Sequence, residues 1–227
     1  MIVIRSPRVR SLLGRIIPFG AIPLAVALGA LLPGRMHLFV SLAVAALSLG
    51  LFITGFEQRR TGSRRLVLTA VMTALCIAGR FIPLFKPVTA LTILTGMYLG
   101  GEAGFLTGAL AALLSNFSFG QGPWTPFQMM AWGMIGLAAG ALQRPLKRSP
   151  CLLLLFGAAA GIAYSMVMDV WSVLWYDGSL RLELYLASMA AALPHTALYA
   201  LSNVIFLHLL GKPIGEKLRR MRVVYGV

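Results

Sequence analysis

Apolar runs follow one another along almost the whole chain, separated by short polar stretches. Eight can be delimited, at 16–33, 37–56, 65–85, 88–100, 102–116, 124–142, 151–176 and 183–211. Most are close to the length, about 20 residues, that a helix needs to cross a bilayer. The pattern predicts an all-α, polytopic membrane helix bundle. The fourth and fifth runs are short, and read either as two short or tilted spans meeting at Gly100 and Gly101 or as one re-entrant pair. The last is longer than a membrane requires, and Pro194 is expected to break or kink it. The first contains Pro18 and Pro23, which membrane helices tolerate. Its length, and the apolar run that follows at once, favour an uncleaved span over a signal peptide.

Charge placement supports eight spans. With the N-terminus inside, sixteen of the twenty basic residues fall on the inner side: Arg5, Arg8, Arg10, Arg15, Arg59, Arg60, Arg64, Arg65, Arg144, Lys147, Arg148, Lys212, Lys217, Arg219, Arg220 and Arg222. Only Arg35, Arg80, Lys86 and Arg181 fall outside. This bias follows the positive-inside rule and places both termini in the cytoplasm. It also explains the net charge of +14 without nucleic acid as a partner. At 59% hydrophobic and 11% charged, the 227-residue chain leaves no room for a sizeable soluble domain. The charged stretch Glu57–Arg65 divides it into a bland N-terminal transmembrane hairpin, 1–63, and a six-helix unit, 64–227, which ends in a basic tail. Cys76 and Cys151 are far apart and form no metal or disulfide pattern.

Nearly all intramembrane polar groups belong to the second unit, gathered in its outer half. The stretch Asn116 to Trp132 is crowded with glycine, proline, amide and aromatic residues where a few charged residues would make a simpler loop. Within it, Trp124, Gln128 and Trp132 are spaced i, i+4, i+8 and line one helix face. Arg80, Asn116, Phe117, Gln121, Asp169, Trp175 and His195 complete a candidate pocket open to the outside, suited to a polar ligand with flat rings. Ionisable groups inside a membrane face the bundle interior or a cavity by default. Blander readings stay open beside this one. Trp171, Trp175 and Tyr176 fit an interfacial aromatic belt, Asp169 could pair with Arg80, and His195 could bond the carbonyl freed by Pro194. Glu102 reads as a solvated loop residue and Asn203 as interhelical glue.

Small residues give a second pattern. Ala70, Ala74 and Ala78 form a ladder at i, i+4, i+8, open equally to internal packing and to an external helix partner. Gly104/Gly108, Gly136/Gly140 and Gly157/Gly161 read as internal close-approach pairs. No P-loop, HExxH or GxSxG sequence is present, and Glu102 and Asp169 fall toward opposite faces, so no enzyme chemistry, cofactor or metal is indicated.

The run Pro87-Val-Thr-Ala-Leu-Thr-Ile-Leu-Thr-Gly96, then Leu99-Gly-Gly-Glu-Ala-Gly-Phe-Leu-Thr-Gly-Ala-Leu110, then Ser115-Asn-Phe117 and Gly120-Gln-Gly-Pro-Trp-Thr-Pro-Phe-Gln128 resembles substrate-specific S components of energy-coupling factor (ECF) transporters. The resemblance covers 65–211. It implies a six-helix protein of the bacterial cell membrane that captures a vitamin from outside. It also implies docking on a separate membrane coupling protein driven by two ATPases, through an Ala-xxx-Ala motif that maps to Ala70 and Ala74. The substrate is expected beneath the loop Asn116–Trp124, and that block inclines the ligand expectation toward cobalamin. The N-terminal hairpin departs from the family's six-helix core. A proton-coupled secondary transporter using Asp169 and His195 is the competing reading.

Overall fold

The computed structural model describes residues 6–31, 37–54 and 62–225, so the charges expected at Arg5, Arg35, Arg59 and Arg60 lie outside the described residues. Helix α1 (Pro7–Ile16) continues through one π turn (Ile17–Ala21) into α2 (Ile22–Leu31), so neither Pro18 nor Pro23 ends the first span. The π turn contains Pro18 and ends two residues before Pro23, and each proline lacks an N–H for the α-helical ladder. Then come α3 (His37–Thr54), α4 (Gly62–Gly79), α5 (Val88–Leu99) and α6 (Gly101–Phe119). After these follow α7 (Trp124–Ala141), the short α8 (Gln143–Arg148), α9 (Pro150–Asp177) and α10 (Leu182–Tyr225). The described residues form an all-α membrane helix bundle. Among them, Pro7–Leu31, Pro150–Asp177 and Leu182–Met221 are long and apolar enough to cross a membrane unaided.

The six-helix core is α4–α7, α9 and α10. Arg64, Arg65, Arg144, Lys147 and Arg148 mark one end of it, called here the basic end. The connections 80–87, 120–123 and 178–181 mark the other, the loop end. The segments 88–100 and 102–116 form two antiparallel helices that pack on each other, an arrangement common to two short spans and to a re-entrant pair. Gly100 turns the chain between them at φ 104°, a conformation that favours glycine. Pro194 does not break the last helix, which runs from Leu182 to Tyr225.

Glycine sets the spacing at the centre. A Cβ at Gly96 would lie 2.1 Å from the Gly136 carbonyl oxygen, and one at Gly140 would lie 2.3 Å from the Gly101 Cα. Gly104 and Gly136 face each other backbone to backbone, and Gly108 meets the backbone of Trp132. The pairs read from sequence as internal packing are therefore the seam joining α5, α6 and α7. Gly161 plays the same part against Ala200 of α10. Such close approach is how membrane helices gain packing without a hydrophobic drive between them.

Helix lengths then shape the loop end. With twelve residues, α5 is about 18 Å long, well short of the hydrocarbon thickness of about 30 Å. With 28 residues, α9 is about 42 Å long. The start of α5 and the 80–87 connection therefore lie below the rim of a taller α9–α10 wall.

The N-terminal hairpin is seated on α6 and α7 through α3, with α2 reaching α7. At the basic end Arg65 donates through Nε to the Leu99 carbonyl at 2.7 Å and pairs with Glu102 at 3.0 Å, while its guanidinium lies over the Phe52 ring. Glu102 is thus an ion-pair partner rather than the solvated loop residue expected.

Gly96→Ala is expected to lower the thermal stability of the detergent-solubilised protein by about 1–3 kcal/mol, because the helices must separate to admit a methyl group. Gly211→Ala, whose Cβ would meet only Leu153 at 3.6 Å, should leave the unfolding midpoint unchanged or raised.

Candidate functional site

The crowded stretch that stood out in the sequence is mostly helix. α6 continues to Phe119 and α7 begins at Trp124, so the connection is only Gly120–Pro123. The long covering loop expected over Asn116–Trp124 is thus a four-residue turn. Gly120 supplies a φ of 99°, and the Trp124 ring folds back over Gly122, where a Cβ would sit 2.1 Å from it.

Beneath this turn the polar groups join into one buried network. Arg80 caps the end of α4 and is buried. Its Nη1 donates to Ser115 Oγ and to Asn116 Oδ1, each at 2.6 Å. Asn116 Nδ2 donates to Gln128 Oε1 at 2.9 Å and to Thr125 Oγ1 at 2.8 Å. Gln128 Nε2 donates to Tyr164 Oη at 3.0 Å. Thr125 in turn donates to Gln121 Oε1, and Gln121 Nε2 donates to the Leu113 carbonyl at 2.8 Å. This last pair of bonds pins the turn to the bundle. In hydrocarbon an unpaired amide costs several kcal/mol, so every bond here holds its neighbour in one rotamer.

Aromatic rings enclose the network. Trp132 stacks on Tyr164 at 5.0 Å between centroids with a 10° interplanar angle, and Tyr199 meets Tyr164 edge-on. The Arg80 guanidinium lies 4.9 Å from the Phe119 centroid and 5.2 Å from that of Trp132. Lys86 Nζ lies 5.5 Å from the same Phe119 centroid. The cavity lined by Arg80, Lys86, Thr89, Gln128, Trp132 and Tyr199 is compact, about 50 Å³. Its electrostatics are one-sided. Arg80 and Lys86 bring two positive charges beside the first turn of α5, whose free N–H groups add a partial positive charge. The partners of Arg80 are all neutral, and its Nε is buried without a hydrogen bond. The arrangement sets hydrogen-bond donors and positive charge beside aromatic faces.

The expected site residues separate into two groups. Arg80, Asn116, Gln121, Gln128 and Trp132 come together here, and Trp124 closes the upper side by packing edge-on against Trp171. The others do not join them. Phe117 is 68% exposed and turned outward, its expected place taken two residues on by Phe119. Trp175 is 59% exposed beyond the rim. Asp169 is buried between α9 and α10, where Ser188 Oγ donates to it at 2.9 Å; it makes no bond with Arg80. His195 lies exposed on α10, and no hydrogen bond or ion pair joins it to Asp169 among the described residues. Asn203 donates to the Gly157 carbonyl at 2.9 Å, bridging helices as expected.

Ser115, Lys86, Phe119, Tyr164 and Tyr199 are the members that sequence reasoning missed. Tyr164 carried a usable signal. A tyrosine halfway along an apolar run is too deep for the interfacial belt, so its hydroxyl needs an internal partner.

A buried polar, aromatic-lined pocket within a membrane helix bundle defines a membrane-embedded binder of small molecules. The family model for the ECF-type riboflavin transporter, S component, matches residues 61–220, more than two thirds of the chain, and the chain belongs to this family of ECF S components. It is therefore the substrate-binding subunit of an ECF transporter, and the family implies association with an ECF module. No curated protein and no solved structure matches it.

Tyr164→Phe should cost about 1 kcal/mol, the value of one hydrogen bond, because the stack on Trp132 survives. Tyr164→Ala should cost about 3–5 kcal/mol through loss of the stack and the cavity left behind. Thermal unfolding in detergent separates the two, and equal effects would show that the ring packing adds nothing.

Proposed function

We propose that the protein captures riboflavin, or a closely similar flavin, in the Arg80 pocket and delivers it to an ECF module. The observation that carries this reading is the buried Arg80 guanidinium held by neutral partners between aromatic faces. An isoalloxazine ring offers carbonyl oxygens and ring nitrogens as acceptors for Arg80, Lys86 and the first N–H groups of α5. Its flat face suits Trp132, Tyr164 and Phe119. The family's description as riboflavin transporter components supports the same ligand. A compact cavity under a pinned four-residue turn fits a tricyclic ring better than a corrinoid, so the cobalamin expectation yields to a flavin. Entry of the ring requires Phe119 and the 80–87 connection to move apart, since the cavity is smaller than the ligand.

The positive-inside rule orients the molecule. The basic end and both termini are cytoplasmic, and the pocket opens outward from the bacterial cell membrane. Residues 1–63 act as an accessory hairpin and 64–227 as the binding core. Docking falls to the free face of α4, where Ala70, Ala74 and Ala78 are exposed among Val67, Val71 and Leu75. A ladder of small side chains lets a helix of the coupling protein approach closely. That protein and two ATPases supply the energy, and this chain supplies recognition. On docking it tilts as a body and carries the ligand toward the cytoplasmic side. The separation of Asp169 from His195 gives the proton-coupled alternative no relay to use.

The purified protein alone should quench riboflavin fluorescence on titration and show no binding of cobalamin. Arg80→Ala should weaken riboflavin binding by about ten- to a hundredfold, as expected for loss of charged hydrogen bonds. Tight cobalamin binding, or an unaltered Arg80→Ala variant, would overturn the assignment. Replacing Ala70 and Ala74 with tryptophan should abolish uptake in cells while leaving binding by the isolated protein intact. Unchanged uptake would remove α4 as the docking face.

A further inference from the structure

A second cavity lies far from the Arg80 pocket in character. It is a groove of about 600 Å³ along the lipid-facing side of α7 and α9, closed on a third side by Pro23 of α2. Met134, Ala138, Phe156, Ala159 and Ala163 line it, and its walls are almost wholly apolar. On α9 the lining runs from Phe156 to Val167, eleven residues or about 16 Å. That is close to half of the hydrocarbon core of about 30 Å, the depth of one leaflet. The groove starts near the basic end, since Phe156 is six residues from the first residue of α9.

The charges on the elements that continue its walls toward the basic end are of one sign. Helix α8 joins the two walls at the basic end. Leu146 of α8 is buried. Arg144 and Arg148 stand two residues to either side of it, on the opposite face of the helix, and are exposed. Arg15 lies eight residues before Pro23 on the continuous α1–α2 helix and is also exposed. No acidic residue occurs in 7–31, in α8 or in the first three turns of α9. Lys147 is directed elsewhere, bonding Gln143 and covering the Tyr98 ring.

We infer that this groove is a binding site for one anionic phospholipid of the leaflet at the basic end. One acyl chain lies along α7 and α9 under Pro23, and the phosphate is held by Arg144 and Arg148, with Arg15 adding to the field. The depth of the groove matches a single chain, and basic clusters between membrane helices select anionic head groups. A helix from a partner protein would need no positive rim. The N-terminal hairpin thereby acquires a function, because α2 turns an open helix face into a three-sided groove.

The test uses the full-length protein, delipidated in detergent and titrated with phosphatidylglycerol or phosphatidylcholine under native mass spectrometry. The wild type should bind phosphatidylglycerol about tenfold to thirtyfold more tightly, the increment expected from two basic side chains. Arg144→Gln with Arg148→Gln should erase that preference while leaving the unfolding temperature unchanged. Ala159→Trp should fill the groove and remove the tightly held lipid of either class. A phosphatidylglycerol carrying a photoreactive acyl chain should label peptides of α7 and α9. Equal affinity for the two lipids, or labelling elsewhere on the bundle, would overturn the proposal.

Discussion

The backbone contact among α5, α6 and α7 is the constraint on which the rest of the structure depends. At Gly96, Gly104, Gly136 and Gly140 the three helices touch without side chains between them. Lipid offers no hydrophobic drive for helix association, so dispersion at close range must supply it. The seam has a geometric consequence. It holds the short α5 in the middle of the bundle, almost entirely buried, where it needs no length of its own to reach both surfaces. A recess then exists above the start of α5, and the arginine that ends α4 projects into it. The site follows from the seam, because a longer or more distant α5 would fill the recess or open it to lipid.

Inside that recess the cost of burying a guanidinium fixes what the surroundings must be. A charge this deep is tolerated only with dense hydrogen bonding and polarisable neighbours. Ser115 and Asn116 supply the first, and Phe119 and Trp132 the second. Ser115 is itself polarised, since its hydroxyl donates to the Ala111 carbonyl while accepting from Arg80. None of these partners is anionic, so no ion pair among the described residues neutralises Arg80. A carboxylate in the place of Asn116 would satisfy the arginine and silence it. The same reasoning explains why Asp169, the one buried acid among the described residues, is kept apart and satisfied by Ser188.

Much of this was legible in the sequence, for definite reasons. Hydropathy and charge bias disclosed the bundle. The i, i+4, i+8 spacing placed Trp124, Gln128 and Trp132 on the face that meets α9, because helical periodicity is a local property. The failures are equally physical. Phe117 and Phe119 are both aromatic and two residues apart, and only the exact end of α6 decides which one meets Arg80 and Lys86. Asp169 and His195 seemed natural members of a polar pocket. Yet their directions depend on how α9 and α10 rotate about a contact set by Gly161 and Ala200, which no single-helix pattern reports. Lys86 was counted only as a loop charge, because nothing in the sequence shows that its side chain lines the Arg80 cavity. The crowding of glycine and proline at 120–126 suggested a long loop. In the structure those residues make a tight turn and a helix start, for which glycine at positive φ and proline at the first turn are equally well suited.

The placement of the N-terminal hairpin bears on how a family core accommodates an addition. The hairpin lies before the residues matched by the family model, and it settles on α6 and α7 rather than on α4. Its anchor is specific. Phe52 sits under the Arg65 guanidinium, which also holds Glu102 and the Leu99 carbonyl. Arg65 begins the very helix that carries the exposed alanine ladder, so the hairpin fixes the foot of α4 without covering its face. Had α3 packed one helix further round, Ala70, Ala74 and Ala78 would be buried within the chain. The addition thus takes the side of the core formed by α6 and α7 and leaves the alanine face of α4 exposed.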